Sequence, residues 1–270
     1  MICLKIKKYI VASHVLATIF SVNCNAQTAE NLFHKKYSKL SLVLQPSWIM
    51  PNNYNNGYIN NYPSVNFTKA FSYQFGLTYN FAQSGSFNFK TGIIAKEFSP
   101  VFDLNISDDD IGYGVDYTLT EYNPFNQFII SIPFKTEYFL KVNPKLNLVF
   151  GAGLGLNLFT GIDEKINVFL YVNNNIDEKL IFLAETTNQK KITLNTEASI
   201  GFNYESKFAL LQLELFSNGG FSTSFAVEGK YEIINLVNSP NTKGGFLISD
   251  RYNGLSLTIS PKKGWLKKKE

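Results

Sequence analysis

The chain has 270 residues, of which 45% are apolar, 15% aromatic and only 17% charged, whereas soluble domains usually carry roughly 25% charged residues. Its 24 Phe and 15 Tyr against 2 Trp favour strands, because aromatic rings suit a pleated, half-exposed surface. Beyond the N-terminus no run approaches the ~20 apolar residues a spanning helix needs, which excludes a polytopic helical membrane protein.

The first residues read as a secretory signal. Lys5, Lys7 and Lys8 precede a mostly apolar run from Tyr9 to Val22, and Cys24-Asn25-Ala26 places small residues before a cut ahead of Gln27. Removal of residues 1–26 takes both cysteines, so no disulfide or cysteine-based metal site is expected in the mature chain. Three basic residues go and no acidic one, which lowers the formal net charge from +4 to near +1. That balance gives nucleic-acid binding no support. His34 is then the only histidine.

After a short polar lead-in (27–37), alternation with a period of two dominates. Ser38 to Ser47 sets Leu40, Leu42 and Leu44 against Lys39, Ser41 and Gln45. Phe67 to Phe81 aligns Phe67, Phe71, Tyr73, Phe75, Leu77, Tyr79 and Phe81, with Lys69 as an exception on that face. Ser86 to Phe98 opposes Phe87, Phe89 and Ile93 to Asn88, Lys90 and Lys96. Gln127 to Leu140 opposes Phe128, Ile130 and Phe134 to Ser131, Lys135 and Glu137. Leu146 to Thr160 sets Leu148, Phe150, Leu154 and Leu156 against Gly151, Gly153, Gly155 and Asn157. Lys191 to Tyr204 carries Leu194, Ile200 and Phe202 opposite Asn195, Glu197 and Ser199. Lys207 to Phe216 carries Leu211, Leu213 and Leu215 opposite Gln212 and Glu214, and Tyr252 to Ser260 carries Leu255, Leu257 and Ile259 opposite Ser256 and Thr258. Side chains of a strand alternate between its faces, so each segment has one greasy and one small, polar face. Most segments reach the ~9–11 residues of a tilted transmembrane strand.

The connections alternate in length. Ala82 to Gly85, Lys141 to Lys145 and Glu205-Ser206 are tight turns of Gly, Pro, Asn and Ser type. Ile49 to Asn66, Ser99 to Asn126, Gly161 to Lys190 and Ser217 to Arg251 are long and polar, and alternation partly returns within Gly220 to Val237, where strand hairpins beyond the membrane are expected. The pattern predicts an all-β protein, an eight-stranded antiparallel transmembrane β-barrel spanning 38–260. Short periplasmic turns alternate with four long extracellular loops, and a Lys-rich tail follows at 261–270.

Periodicity alone does not say which face points inward; a soluble sandwich or lipocalin-like barrel would bury its apolar face. Three observations favour lipid outside. The apolar sets run nearly the whole length of every strand. The opposite faces are poor in large apolar residues yet carry few charges for a water-exposed surface. Phe67, Tyr79, Phe81, Phe87, Tyr138 and Tyr204 sit near strand ends, as interface girdles do.

Residues 125–159, FNQFIISIPFKTEYFLKVNPKLNLVFGAGLGLNLF, resemble the central hairpin of bacterial outer-membrane β-barrel domain (porin-family) proteins. The resemblance rests on the step Ile132-Pro133, the turn Asn143-Pro144 and the run Gly151, Gly153 and Gly155. It implies an outer-membrane address and outer-membrane lipid as the surrounding medium. Gly254, Leu257 and Ile259 resemble the family's C-terminal insertion signal, which implies the barrel-assembly machinery as a partner during biogenesis. The family's terminal aromatic is replaced here by Pro261, taken to break the strand, and the tail KKGWLKKKE.

Eight strands enclose a lumen that side chains just fill. Lys39, Lys90, Lys96, Lys135, Glu137, Glu197 and Glu214 are placed there by alternation. Buried charges need partners, so an internal ion-pair and amide network is expected. The stripe of Gly151, Gly153 and Gly155 would admit bulky neighbours such as Lys135 or Phe139, or leave a small groove. No catalytic constellation emerges: His34 precedes the first strand and no pair of carboxylates is placed for acid–base work. Neither a metal nor a cofactor is expected; Asp108 and Asp110 are weak candidates for Ca²⁺ that lack an EF-hand spacing. The Gly run lies within a strand, so a dinucleotide site fails its context. The expected role is structural or surface interaction through the loops, with an extracellular protein or glycan ligand. The alternatives are a narrow porin for small solutes and a membrane component of a secretion or envelope-assembly machine.

Overall fold

The computed structural model describes residues 36–50, 64–107, 109, 112, 117–121, 127–160, 165–172, 177–189, 191–220, 227–234, 237 and 242–264. The expected export signal, nearly all of the lead-in with His34, the Asn- and Tyr-rich stretch 51–62, Asp108, Asp110 and the end of the Lys-rich tail lie outside these residues.

Fifteen strands occur among the described residues: β1 (Leu40–Ile49), β2 (Ser64–Thr68), β3 (Ala70–Ser84), β4 (Phe87–Phe98), β5 (Val101–Ile106), β6 (Tyr117–Glu121), β7 (Gln127–Asn143), β8 (Leu146–Phe159), β9 (Lys165–Val172), β10 (Asp177–Gln189), β11 (Ile192–Glu205), β12 (Ala209–Gly220), β13 (Val227–Ile233), β14 (Thr242–Ile248) and β15 (Tyr252–Pro261). Eight of them, in the order β1-β15-β12-β11-β8-β7-β4-β3, form a closed barrel whose neighbours are all antiparallel. Closure on β1 through both β3 and β15 leaves no free edge, the condition lipid imposes on a sheet.

The sequence explains which way the barrel faces. On β3, Phe75 is 55% exposed and its neighbour Gln74 only 2%. The same alternation puts Leu40, Leu42 and Leu44 outside β1, and Leu211, Leu213 and Leu215 outside β12, with Ser41, Gln45, Gln212 and Glu214 buried inside. A soluble barrel would carry the opposite arrangement. An apolar belt around a polar interior is the distribution that lipid selects, because burying polar groups against hydrocarbon costs several kcal/mol each. The protein is therefore an outer-membrane barrel, and its short-turn end is the periplasmic one.

Turn chemistry follows the local sequence. Gly85 has φ 57° in the β3–β4 turn, a left-handed conformation that favours glycine. Between β7 and β8 the Asn143 side-chain oxygen accepts from the backbone N–H groups of Lys145 and Leu146, both at 2.9 Å. Ser206 holds the β11–β12 turn, its Oγ donating to the Ala209 carbonyl at 2.6 Å and accepting the Ala209 N–H at 3.0 Å.

Three details differ from expectation. The second barrel strand begins at Ala70 rather than Phe67: exposed Lys69 interrupts the run, and Phe67 joins β2, opposite Phe102 of β5. Pro261 does not end the last strand before itself. It pairs with Ala209, and its carbonyl accepts from the Ser38 N–H at 2.8 Å, a contact that needs no proline N–H. Above all, the long connections are not merely polar loops with one hairpin region. They carry seven further strands, grouped as a three-stranded sheet, β2-β5-β6, and a four-stranded sheet, β14-β13-β10-β9.

These two sheets share a core with the loop end of the barrel. Phe102, Leu104 and Ile106 of β5 cluster with Phe182 of β10, Tyr231 and Ile233 of β13, and Phe246 and Ile248 of β14. The Phe102 and Phe182 rings lie 5.2 Å apart, and Phe182 stacks on Tyr231 at 6.0 Å. Ile49, Phe98, Ile129, Phe159, Phe216 and Tyr252, at the upper ends of the barrel strands, belong to the same cluster. The sheets thus cover the barrel mouth with one continuous apolar layer. Tyr37, Phe139, Val149 and Leu210 form a second, smaller apolar cluster at the periplasmic end.

The candidate functional site: a paired polar lumen between two apolar layers

Between these layers the lumen is polar and filled. Lys135, from the middle of β7, is the hub. Its ammonium lies 3.0 Å from Glu214 Oε1, 3.1 Å from Glu197 Oε1 and 3.9 Å from Glu137 Oε1. Glu137 also pairs closely with Lys90 of β4. Five of the seven charges that alternation assigns to the lumen thus form one network.

Amides and hydroxyls fill the remaining lone pairs. Gln212 donates to Glu137 at 2.7 Å and to Glu214 at 2.9 Å. Ser199 donates to Glu214 at 2.6 Å, and Asn88 donates both to Glu137 at 3.0 Å and to the Asn80 side-chain oxygen at 2.8 Å. Buried charges persist only when paired and hydrogen-bonded in this way. Further round the wall, Gln45 donates to Ser256 at 3.1 Å, Gln74 donates to Ser47 at 2.9 Å, and the Ser41 and Ser260 hydroxyls lie 2.6 Å apart.

The other two predicted lumen charges lie elsewhere. Lys39 is a correction: it precedes β1 at the periplasmic rim, half-buried, with its ammonium 5.9 Å from the centre of the outward Tyr79 ring. A long side chain at the end of a strand can leave the lumen for the interface, as Lys39 does here. Lys96 stays inside but one storey higher. It sits 3.5 Å from the Asn157 side-chain oxygen and 5.5 Å from the centre of the Tyr252 ring. There Asn157 links it to a residue that alternation did not place in the lumen, Asp250, which is fully buried. Asp250 accepts hydrogen bonds from Asn157 and, at 2.9 Å, from Thr193. Asp250 falls in the last long connection, directly before β15, where no alternating pattern marks it. The alternation that places Asn157 and Thr193 inside was the one available signal.

The glycine stripe is occupied. A Cβ on Gly151 would meet Ser199 Oγ at 2.2 Å and Lys135 Cε at 2.3 Å, and one on Gly155 would meet the Asn195 side-chain oxygen at 2.2 Å. At Gly153 the contact would be the Phe134 carbonyl at 2.5 Å. The missing side chains on β8 therefore seat Lys135 and Asn195, and Phe139 packs with the periplasmic cluster instead.

Of the insertion-signal candidates, Leu257 and Ile259 lie on the lipid-facing side of β15. Gly254 lies on the inner side, against the Pro46 carbonyl and Ser47 of β1. Among the described residues no group of three or more His, Cys, Asp or Glu could hold a metal ion. No described helix is long and apolar enough to cross a membrane, which says nothing of strands.

No protein-family model matches the sequence, and no curated protein matches it. Solved structures with similar architecture include the outer membrane protein OprG from Pseudomonas aeruginosa, at 12% identity over 82% of this chain and 97% of that chain, with a TM-score of 0.39. The N-terminal β-barrel domain of Pseudomonas aeruginosa OprF is similar at 8% identity over 82% of this chain and 98% of that chain, with a TM-score of 0.30. The β domain of the Bordetella autotransporter Brka is similar at 10% identity over 83% and 97%, with a TM-score of 0.27. Values this low carry no inference about activity, and the architecture stands on strand register and the apolar belt. On those grounds the chain is an eight-stranded outer-membrane β-barrel with a filled lumen and a folded extracellular cap.

Proposed function

We propose that the protein is a sealed, non-enzymatic barrel that holds a rigid β-sheet platform above the membrane for contact with an extracellular protein or glycan. The observation that carries this reading is the shared core of the two loop sheets and the barrel mouth. Loops that served only as connections would not bury Phe102, Phe182, Tyr231 and Phe246 together. Burial on that scale fixes a surface in one shape, and a pre-formed surface binds at lower entropic cost. The lumen supports the non-enzymatic part: Glu137 and Glu214 are ion-paired and hydrogen-bonded, away from any substrate outside. Recording from the purified protein in planar lipid bilayers tests the sealed state. No conductance steps are expected; regular steps of uniform size would instead favour a narrow channel for small solutes.

A further inference from the structure

Among the described residues, the lipid-facing belt is interrupted high on one wall by a polar patch that neither the lumen nor the cap explains. Here β11, β12, β15 and the residue just before β15 turn six small or polar residues outward: Thr196, Ala198, Ser217, Gly219, Arg251 and Asn253. They adjoin one another by register, with Thr196 opposite Gly219, Ala198 opposite Ser217, and Ser217 opposite Asn253. Together they line a notch of about 450 Å³. Directly below it on the same strands the wall returns to Ile200, Leu215 and Leu255, all exposed.

Arg251 is the only arginine in the chain. It is half-buried, and its side chain lies along Gly219, with Nε 3.8 Å from where a Cβ would stand. Its guanidinium has no carboxylate partner among the described residues. Glu197 also borders the notch, but its carboxylate is turned inward to Lys135 at 3.1 Å. Depth is marked independently by Trp48 on β1, which pairs with Asn253 and is 49% exposed on the outer face. Trp favours the membrane–water interface, so the notch lies at the level of the outer-leaflet head groups.

We propose that this notch binds a phosphate on the head group of an outer-leaflet lipid, with Arg251 as the principal ligand and the side chains of Ser217 and Asn253 as hydrogen-bonding partners, while the Thr196 hydroxyl stays on the Gly219 carbonyl at 3.2 Å. A guanidinium offers a planar fork of N–H donors that matches phosphate oxygens in pairs. Ala198 and Gly219 provide the concavity that lets a head group approach the wall. The lipid chains would then lie on the Leu and Ile surface beneath, so one molecule meets both parts of the wall.

The test uses the full-length protein extracted in a neutral detergent and measured by native mass spectrometry. Three probes are compared: a bisphosphorylated lipid A, the same glycolipid enzymatically dephosphorylated, and inorganic phosphate. Saturable binding of one lipid A per barrel is expected, with weak or no binding of the other two. Arg251→Gln should weaken lipid A binding about tenfold or more, on the scale of a lost charge-assisted pair, and Arg251→Lys should fall between. Ala198→Leu fills the notch from the lipid side without touching the lumen and should also abolish saturable binding. The heat-dependent shift in gel mobility shows that each variant still forms the barrel. Equal binding of the dephosphorylated lipid, or unchanged binding by both Arg251→Gln and Ala198→Leu, would overturn the proposal. Inorganic phosphate binding as tightly as the lipid would assign the site to free phosphate instead.

Discussion

At the scale of single residues, Lys135 holds the lumen together, and its three carboxylates explain why a cation is tolerated there. Removing one partner of a buried pair leaves an uncompensated charge, which costs about 3–5 kcal/mol. Glu214→Ala should therefore lower barrel stability by about 3 kcal/mol, read as a lower urea midpoint for unfolding from lipid vesicles. The paired replacement Lys135→Met with Glu214→Leu should recover part of that loss. Gly151→Ala puts a methyl where Lys135 Cε and Ser199 Oγ already sit. It should cost about 1–3 kcal/mol by overpacking, and Lys135→Ala in the same chain should relieve it. Alternation alone supplied this network, because parity along each strand fixes the face of every residue. It placed Lys39 in the lumen wrongly, because a position at the rim lets that side chain bend outward, and it missed Asp250, whose burial depends on how the last loop returns to the barrel.

At the scale of elements, the loops are where sequence and structure part. β13 alternates without fault, with Val227, Tyr231 and Ile233 buried and Glu228 and Lys230 exposed. β13 and its partner β14 each contribute one glycine that seats an aromatic ring of the other strand. Gly229 lies under Phe246, whose Cζ is 2.0 Å from where a Cβ would stand, and Gly244 lies under Tyr231 in the same manner, at 2.4 Å from its Cζ. Reciprocal ring-on-glycine pairs of this kind pin the register of two strands. Gly229→Val should expel Phe246 and open the cap to protease, while the boiled-against-unboiled mobility shift of the barrel stays as in the wild type. Phe182→Ala removes the ring between Phe102 and Tyr231 and should cost the cap about 3–5 kcal/mol. The expected readout is faster proteolysis in the described segments of the four-stranded sheet.

Taken as one molecule, the chain is a stack of three chemistries inside one sheet: an apolar floor, a paired polar middle and an apolar roof continuous with the cap. The two apolar clusters use large side chains in an enclosure of eight strands, whose interior is only as wide as side chains can fill. Charges in the middle are thereby removed from water at both ends, which strengthens each ion pair and makes each unpaired group costlier. Replacing floor residues should reveal this dependence. Phe139→Ala combined with Leu210→Ala should lower stability and, if water then reaches Lys135 and Glu137, make the loss from Glu214→Ala smaller than in the wild type. A double-mutant comparison of urea midpoints measures that coupling.

The sequence by itself determined the barrel. Eight alternating segments joined by three tight turns left one way to hide greasy faces from water and polar faces from lipid, and the strand order in the structure is the one those connections imply. It also determined which residues of a strand share a face, since a one-residue slip would exchange the two faces. Only the tertiary structure decided what the loops become. Their strands pair across long separations in sequence, β10 with β13 and β2 with β5, and such pairing depends on partners that local periodicity cannot name. For the same reason Asp250 entered the lumen and Arg251, its neighbour, turned to the lipid: the last strand begins just after them, and only the closed barrel sets which side of the wall each one meets.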